Sequence, residues 1–148
     1  MITYQEEDAE TFRGDVEPLL TAYYDETIVD LGLKFDADFA AYIDANERGR
    51  MVCIGARDDG KVIGIACFFI TPYLYSRNYI LAIQDLLYIV PEYRKGWTGI
   101  RLIKTAEKLL KSRGVGMIDL VCRPHMDNTS LYERLGYKYA EKRFSKLV

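Results

Sequence analysis

The spacing of apolar residues changes twice along this chain, and each change marks a change of secondary structure. After a short alternating start at Ile2–Gln5, which predicts a first strand, Leu19, Leu20, Tyr23, Tyr24 and Ile28 recur at helical spacing. Asp8 is placed to cap a first helical turn, and Pro18 predicts a break, with a new helix starting at Asp15 and Gly32 closing it. Phe39, Tyr42 and Ile43 give a further helix over 37–48, stopped by Gly49. From Met51 the period shortens. Met51–Arg57 and Lys61–Thr71 are β-branched and apolar, and Asp58-Asp59-Gly60 between them predicts a hairpin. Tyr79–Val90 reads as a long strand.

The helical period then returns most clearly over Gly99–Arg113, where Leu102, Ile103, Ala106, Leu109 and Leu110 share one side. Val115–Cys122 is apolar almost throughout, as in a strand buried by parallel pairing. Asn128 is placed to cap a short helix carrying Leu131, Tyr132 and Leu135, and Tyr137–Leu147 predicts a last strand. Strands grouped first and alternating with helices later imply one α/β (α+β mixed) domain over residues 1–148, with a mixed sheet and helices on both faces.

Composition narrows the function classes. A net charge of −2 without a basic block argues against nucleic-acid binding. No apolar run reaches membrane-spanning length, so no membrane role is expected. Cys53, Cys67 and Cys122 form no CxxC pair, so no metal site is expected; they read as reduced, mostly buried thiols of a cytoplasmic protein. Twelve tyrosines are heavy use of a side chain with one apolar and one wet end.

The candidate chemistry lies in Val90-Pro91-Glu92-Tyr93-Arg94-Lys95-Gly96-Trp97-Thr98-Gly99. A strand stops at a proline, an arginine and two glycines follow, and an amphipathic helix begins. A helix N-terminus offers unpaired N–H groups and the positive end of a dipole, which suit a phosphate. Gly96 and Gly99 let the backbone approach that group, and Arg94 and Lys95 add charge.

Two segments resemble the GNAT superfamily of N-acetyltransferases. Leu87-Tyr88-Ile89-Val90-Pro91-Glu92-Tyr93-Arg94, continuing to Gly99, is similar to that family's strand, turn and acyl-CoA pyrophosphate loop. Asn128-Thr129-Ser130-Leu131-Tyr132-Glu133-Arg134-Leu135-Gly136-Tyr137 is similar to its late signature. The resemblance implies a GNAT fold with a mixed central sheet of about six to seven strands. It also implies direct acetyl transfer from acetyl-CoA, as cosubstrate, to a primary amine on a small molecule or protein, with a homodimer as the oligomer. One departure stands out: Trp97 occupies the loop's first glycine position, and Gly96 precedes it.

Roles follow from the same resemblance. Arg94, Lys95, Gly96, Trp97, Thr98 and Gly99 would hold the pyrophosphate, and the backbone of Leu87 and Ile89 the pantetheine arm. Asn128 would touch that arm or cap its helix. Tyr132 would be the general acid, with a core role as the alternative. Asp85 would be the base, on the same strand face as Leu87 and Ile89 by alternation, with a structural or solvated carboxylate as the alternative. His125, the only histidine, lies in a loop and reads as incidental. Asp25, Glu26, Asp30, Asp36 and Asp38 make the N-terminal region acidic, which would suit a cationic acceptor or be a solvated face. The competing reading of the whole chain is a non-catalytic GNAT-like interaction module or a regulator that binds CoA.

Overall fold

A computed structural model describes residues 1–28 and 31–148, without the side chains of Thr11 and Phe12; Asp30 of the acidic region lies outside the described residues. Five strands form one sheet in the order β1 (Ile2–Glu7), β2 (Met51–Asp58), β3 (Lys61–Pro72), β4 (Ile80–Ile89) and β5 (Met117–Asp119). The first four pair antiparallel, and β5 pairs parallel to β4. The hairpin between β2 and β3 turns on Asp59 and Gly60, both at positive φ (46° and 85°), as a two-residue turn of this hand requires.

Helices α1 (Ala9–Thr27) and α2 (Phe39–Glu47) cover one face of the sheet, and α3 (Thr98–Ser112) covers the other. On the first face Val16, Leu20 and Tyr23 of α1 pack with Met51, Cys53, Ile65, Cys67, Leu86 and Tyr88. On the second, Leu102, Ala106 and Leu110 of α3 pack with Val52, Ile54, Ile63, Ala66 and Phe68. Every turn of α3 thus contributes to the core, as its periodicity predicts. Among the described residues no helix is long and apolar enough to cross a membrane.

Several details depart from expectation. Pro18 lies inside one continuous helix rather than at a new start. It removes the N–H that would bond the carbonyl of Gly14, but both residues are exposed, so water can meet that carbonyl. Helix α1 ends at Thr27, before Gly32. Among the described residues the sheet has five strands, not six to seven. Strand β5 is three residues long, and residues 137–148 form no strand. The tail carries Lys138, Glu141, Lys142, Arg143 and Lys146, is exposed from Lys138 onward, and buries no face that would hold it in register. Cys53 and Cys67 are buried and form no disulfide, the Cys67 thiol donating to Cys53 Sγ at 3.1 Å, whereas Cys122 is exposed.

A buried ion pair ties the first strand to the sheet. Arg57 Nε and Nη2 donate to Glu7 at 2.7 and 3.2 Å, and Nη2 also reaches Asp15 at 2.9 Å. Gly55 leaves room for it, since a Cβ there would come within 2.5 Å of Glu7 Oε1. Glu7 cannot yield without breaking the pair, which leaves a desolvated charge. Gly55→Ala is therefore expected to cost about 1–3 kcal/mol in a denaturant titration; a change within about 0.5 kcal/mol, typical of an unconstrained surface site, would show that Glu7 moves aside freely.

Candidate active site

Strands β4 and β5 pair only from Leu81–Met117 to Ile83–Asp119. Beyond that point they no longer pair, which splits the sheet edge. The next available donor after β5, the Val121 N–H, goes to the side chain of Gln84 at 2.9 Å instead of to the β4 backbone. Gln84 is buried where the pairing ends.

The antiparallel pattern sets what β4 offers to this split. Val90 N–H bonds the Ile63 carbonyl at 2.9 Å, so Val90 and, by alternation, Tyr88 and Leu86 direct their backbone groups at β3. Leu87 and Ile89 lie between them and direct theirs the other way, into the split. The Ile89 carbonyl there accepts from Arg94 Nε at 2.8 Å.

A bulge decides where Asp85 points. Cys67 pairs with Leu86 and Phe68 with Gln84, which leaves Asp85 as the extra residue. Alternation is broken, and Asp85 and Leu86 both face α1 and α2. Asp85 therefore does not share the face of Leu87 and Ile89, which pack toward α3. Tyr42 of α2 donates to Asp85 Oδ2 at 2.6 Å, and Tyr23 of α1 donates to the Asp85 carbonyl at 3.1 Å. Oδ1 has no partner among the described residues. Burial, followed by the bond to Asp85, raises Tyr42 far above the ordinary tyrosine range, so it remains a donor.

Tyr132, on α4 (Thr129–Arg134), is buried and donates to the Val121 carbonyl at 3.2 Å, on the far bank of the split. Burial pushes its phenol up to about 12, against an opposing pull from the Asn128 side chain. Asn128 does not cap α4 with its side chain. Asp127 Oδ1 accepts the Thr129 N–H at 2.9 Å in its place, and the Asn128 N–H goes to Cys122 Sγ at 3.2 Å. His125 is exposed in the loop before α4.

The loop before α3 turns at Gly96, whose φ of +104° favours glycine. Trp97 takes the N-cap position in an ordinary αR conformation, with no side-chain cap on the helix, and the residue is 68% exposed. The indole does not plug the loop, because the turn has moved back one residue to Gly96. Gly99 is needed for packing: a Cβ there would approach Ile89 Cδ1 to 3.2 Å, so the glycine lets the start of α3 sit against the end of β4. Lys95 is exposed and Thr98 buried. Arg94 does not extend toward the helix start. Its guanidinium bonds Glu26 of α1 at 2.6 Å and lies over the Tyr88 ring, while Glu26 also accepts from the Tyr88 hydroxyl at 2.9 Å.

The β4–β5 split and the α3 N-terminus therefore adjoin at Ile89. Gln84, Tyr42, Tyr23 and Arg123 surround Asp85 or the split; the sequence assigned none of them a site role, and Tyr23 and Tyr42 read only as apolar helix faces. Only their tertiary placement marks them, although an apolar strand interrupted by Gln84-Asp85 was the available signal.

The Acetyltransferase (GNAT) family profile matches residues 5–137. The chain belongs to the GNAT family. Solved structures with the same fold include a predicted acetyltransferase with acetyl-CoA from Clostridium acetobutylicum, at TM-score 0.75 and 15% identity over 98% of this chain and 95% of that one. A transcriptional regulator from Bacillus halodurans matches at TM-score 0.80 and 19% identity over 100% of both chains. Glucosamine-6-phosphate N-acetyltransferase from Arabidopsis thaliana matches at TM-score 0.75 and 15% identity over 99% and 98%. No curated protein matches this GNAT chain in sequence.

Proposed function

We propose that this GNAT protein is an N-acetyltransferase that transfers the acetyl group of acetyl-CoA directly to a primary amine. The observation that carries the reading is the β4–β5 split opening beside the uncapped N-terminus of α3. The two features fit the two ends of the cosubstrate. Backbone N–H groups at Trp97, Thr98 and Gly99 suit a diphosphate, with Lys95 near them. The backbone groups of Leu87 and the N–H of Ile89, whose carbonyl is taken by Arg94, suit an amide-bearing arm, which would add to β4 as a strand adds to a sheet edge. When bound, acetyl-CoA supplies the activated thioester.

The chain's own residues then have separable tasks. An amine with a pKa of about 10 arrives protonated and must lose a proton. Asp85 is the proposed base, taking the proton on the free Oδ1 while Tyr42 holds Oδ2. Tyr132 is the proposed donor to the leaving thiolate, once its hydroxyl turns from the Val121 carbonyl. Asn128, its side chain released from capping, is the remaining polar contact for the arm.

One observation favours a second reading, a non-catalytic or CoA-binding regulatory GNAT protein: the Arg94 side chain is committed to Glu26 and Ile89 instead of the loop. Incubation with acetyl-CoA and a panel of amines, read by mass spectrometry, separates the two. A product about 42 Da heavier than its amine, the mass of one added acetyl less one hydrogen, is expected for at least one class. Binding of acetyl-CoA without product from any amine would establish the regulatory reading.

A further inference from the structure

The arginines packed around the sheet differ in how their charge is met. Arg57 holds Glu7 and Asp15, Arg94 holds Glu26, and Arg113 holds Glu6. Arg123, in the loop after β5, holds no carboxylate among the described residues. Its side chain crosses back over the split, where Nη2 lies 3.3 Å from the Tyr23 hydroxyl and 3.4 Å from the Asp85 carbonyl. Both acceptors are neutral, and both distances exceed those of a well-made N–H···O bond. Nε is sealed from solvent and has no partner. A guanidinium is always charged and presents a planar fork of donors. A buried donor left unmade is rare in folded proteins and calls for an explanation.

The surroundings say what would complete it. The nearest carboxylate along the chain of contacts, that of Asp85, is turned to Tyr42. Arg123 touches the backbone of the same residue, so a group bound to the guanidinium lies next to the base. Glu26, the other acid at this end of β4, already accepts from Arg94 and Tyr88 and is compensated.

We infer that Arg123 anchors the acceptor, and that the acceptor is an amine bearing an anionic group, carboxylate or phosphate, a few bonds from its nitrogen. The anion meets Nη1, the guanidinium nitrogen that is neither sealed nor bonded among the described residues, while Asp85 faces the amine. This inference deepens the proposed acetyl transfer and rests on it. It also runs against what the acidic N-terminal region suggests, a purely cationic acceptor.

Matched probes test it. β-Alanine is compared with β-alaninamide, and O-phosphoethanolamine with ethanolamine, by calorimetric binding to the CoA-saturated protein and by kcat/KM with acetyl-CoA. At least one anionic probe is expected to bind about tenfold to a hundredfold tighter than its neutral twin, the effect of a hydrogen-bonded charge; which pair shows it tells carboxylate from phosphate. Arg123→Gln is expected to erase that difference, and Arg123→Lys to restore part of it, with the melting rise given by acetyl-CoA unchanged in both. The inference is overturned if acetyl-CoA raises the melting temperature but the neutral twins bind as well as the anionic ones, or if Arg123→Gln weakens both members of a pair equally. An unchanged melting temperature with acetyl-CoA is a different failure, that of the transferase reading, and removes the inference with it.

Discussion

Asp85→Asn is expected to lower kcat by about 10²- to 10⁴-fold, the usual contribution of a positioned general base. The substitution keeps the volume and an oxygen to accept from Tyr42, so the contact between α2 and β4 survives. What it removes is the ability to take a proton. Acetyl-CoA affinity and melting temperature should stay near those of the parent, because Asp85 faces α1 and α2, not the side of the sheet where Leu87 and Ile89 pack. Calorimetry with acetyl-CoA and steady-state kinetics with the acceptor found in the amine panel separate these effects. A carboxylate with only a structural role would leave turnover intact. Tyr132→Phe is expected to cost less than Asp85→Asn. A phenol pushed up to about 12 gives its proton to a thiolate, whose conjugate acid has a pKa near 8.5, only uphill. Its contribution is then mainly a hydrogen bond.

What was legible in the sequence was local. The period of α3 and the Asp58-Asp59-Gly60 turn each depend on residues adjacent along the chain, and both appear where expected. So does the cap of α1, where Asp8 Oδ1 accepts the Glu10 N–H at 3.1 Å. The fold class followed from the order of such elements. What escaped was set by contacts distant in sequence. A single extra residue in β4 turns Asp85 to the other face, and alternation cannot reveal a bulge whose cause lies in the pairing with β3. Tyr42 meets Asp85 across 43 positions, and Arg94 meets Glu26 across 68, without a motif to announce either. The short sheet has the same origin. Val115–Cys122 is apolar enough for a full strand, but Gln84 takes the Val121 N–H and ends the pairing.

The loop carries the second large effect. Gly99→Asp places a carboxylate in the first turn of α3, where the helix dipole favours it; its Cβ would press on Ile89 Cδ1 at 3.2 Å, which the flexible end of that side chain relieves by moving a few tenths of an ångström, so the fold should survive, and melting without ligand checks it. A diphosphate at the same turn would meet a like charge. At about 4 Å and an effective dielectric near 20, each such pair costs about 4 kcal/mol, so a loss of acetyl-CoA affinity of at least about a hundredfold is expected. Gly96 substitutions should also weaken binding, through strain at its φ of +104°. The decisive comparison is thermal melting of the unmodified protein and Gly99→Asp with and without acetyl-CoA. At about 100 times its dissociation constant the ligand contributes roughly 2.7 kcal/mol, which for a domain of this size raises the melting temperature by about 5–10 °C. The account predicts that rise in the unmodified protein and its loss in Gly99→Asp; no rise in the unmodified protein, or an equal rise in both, would contradict it.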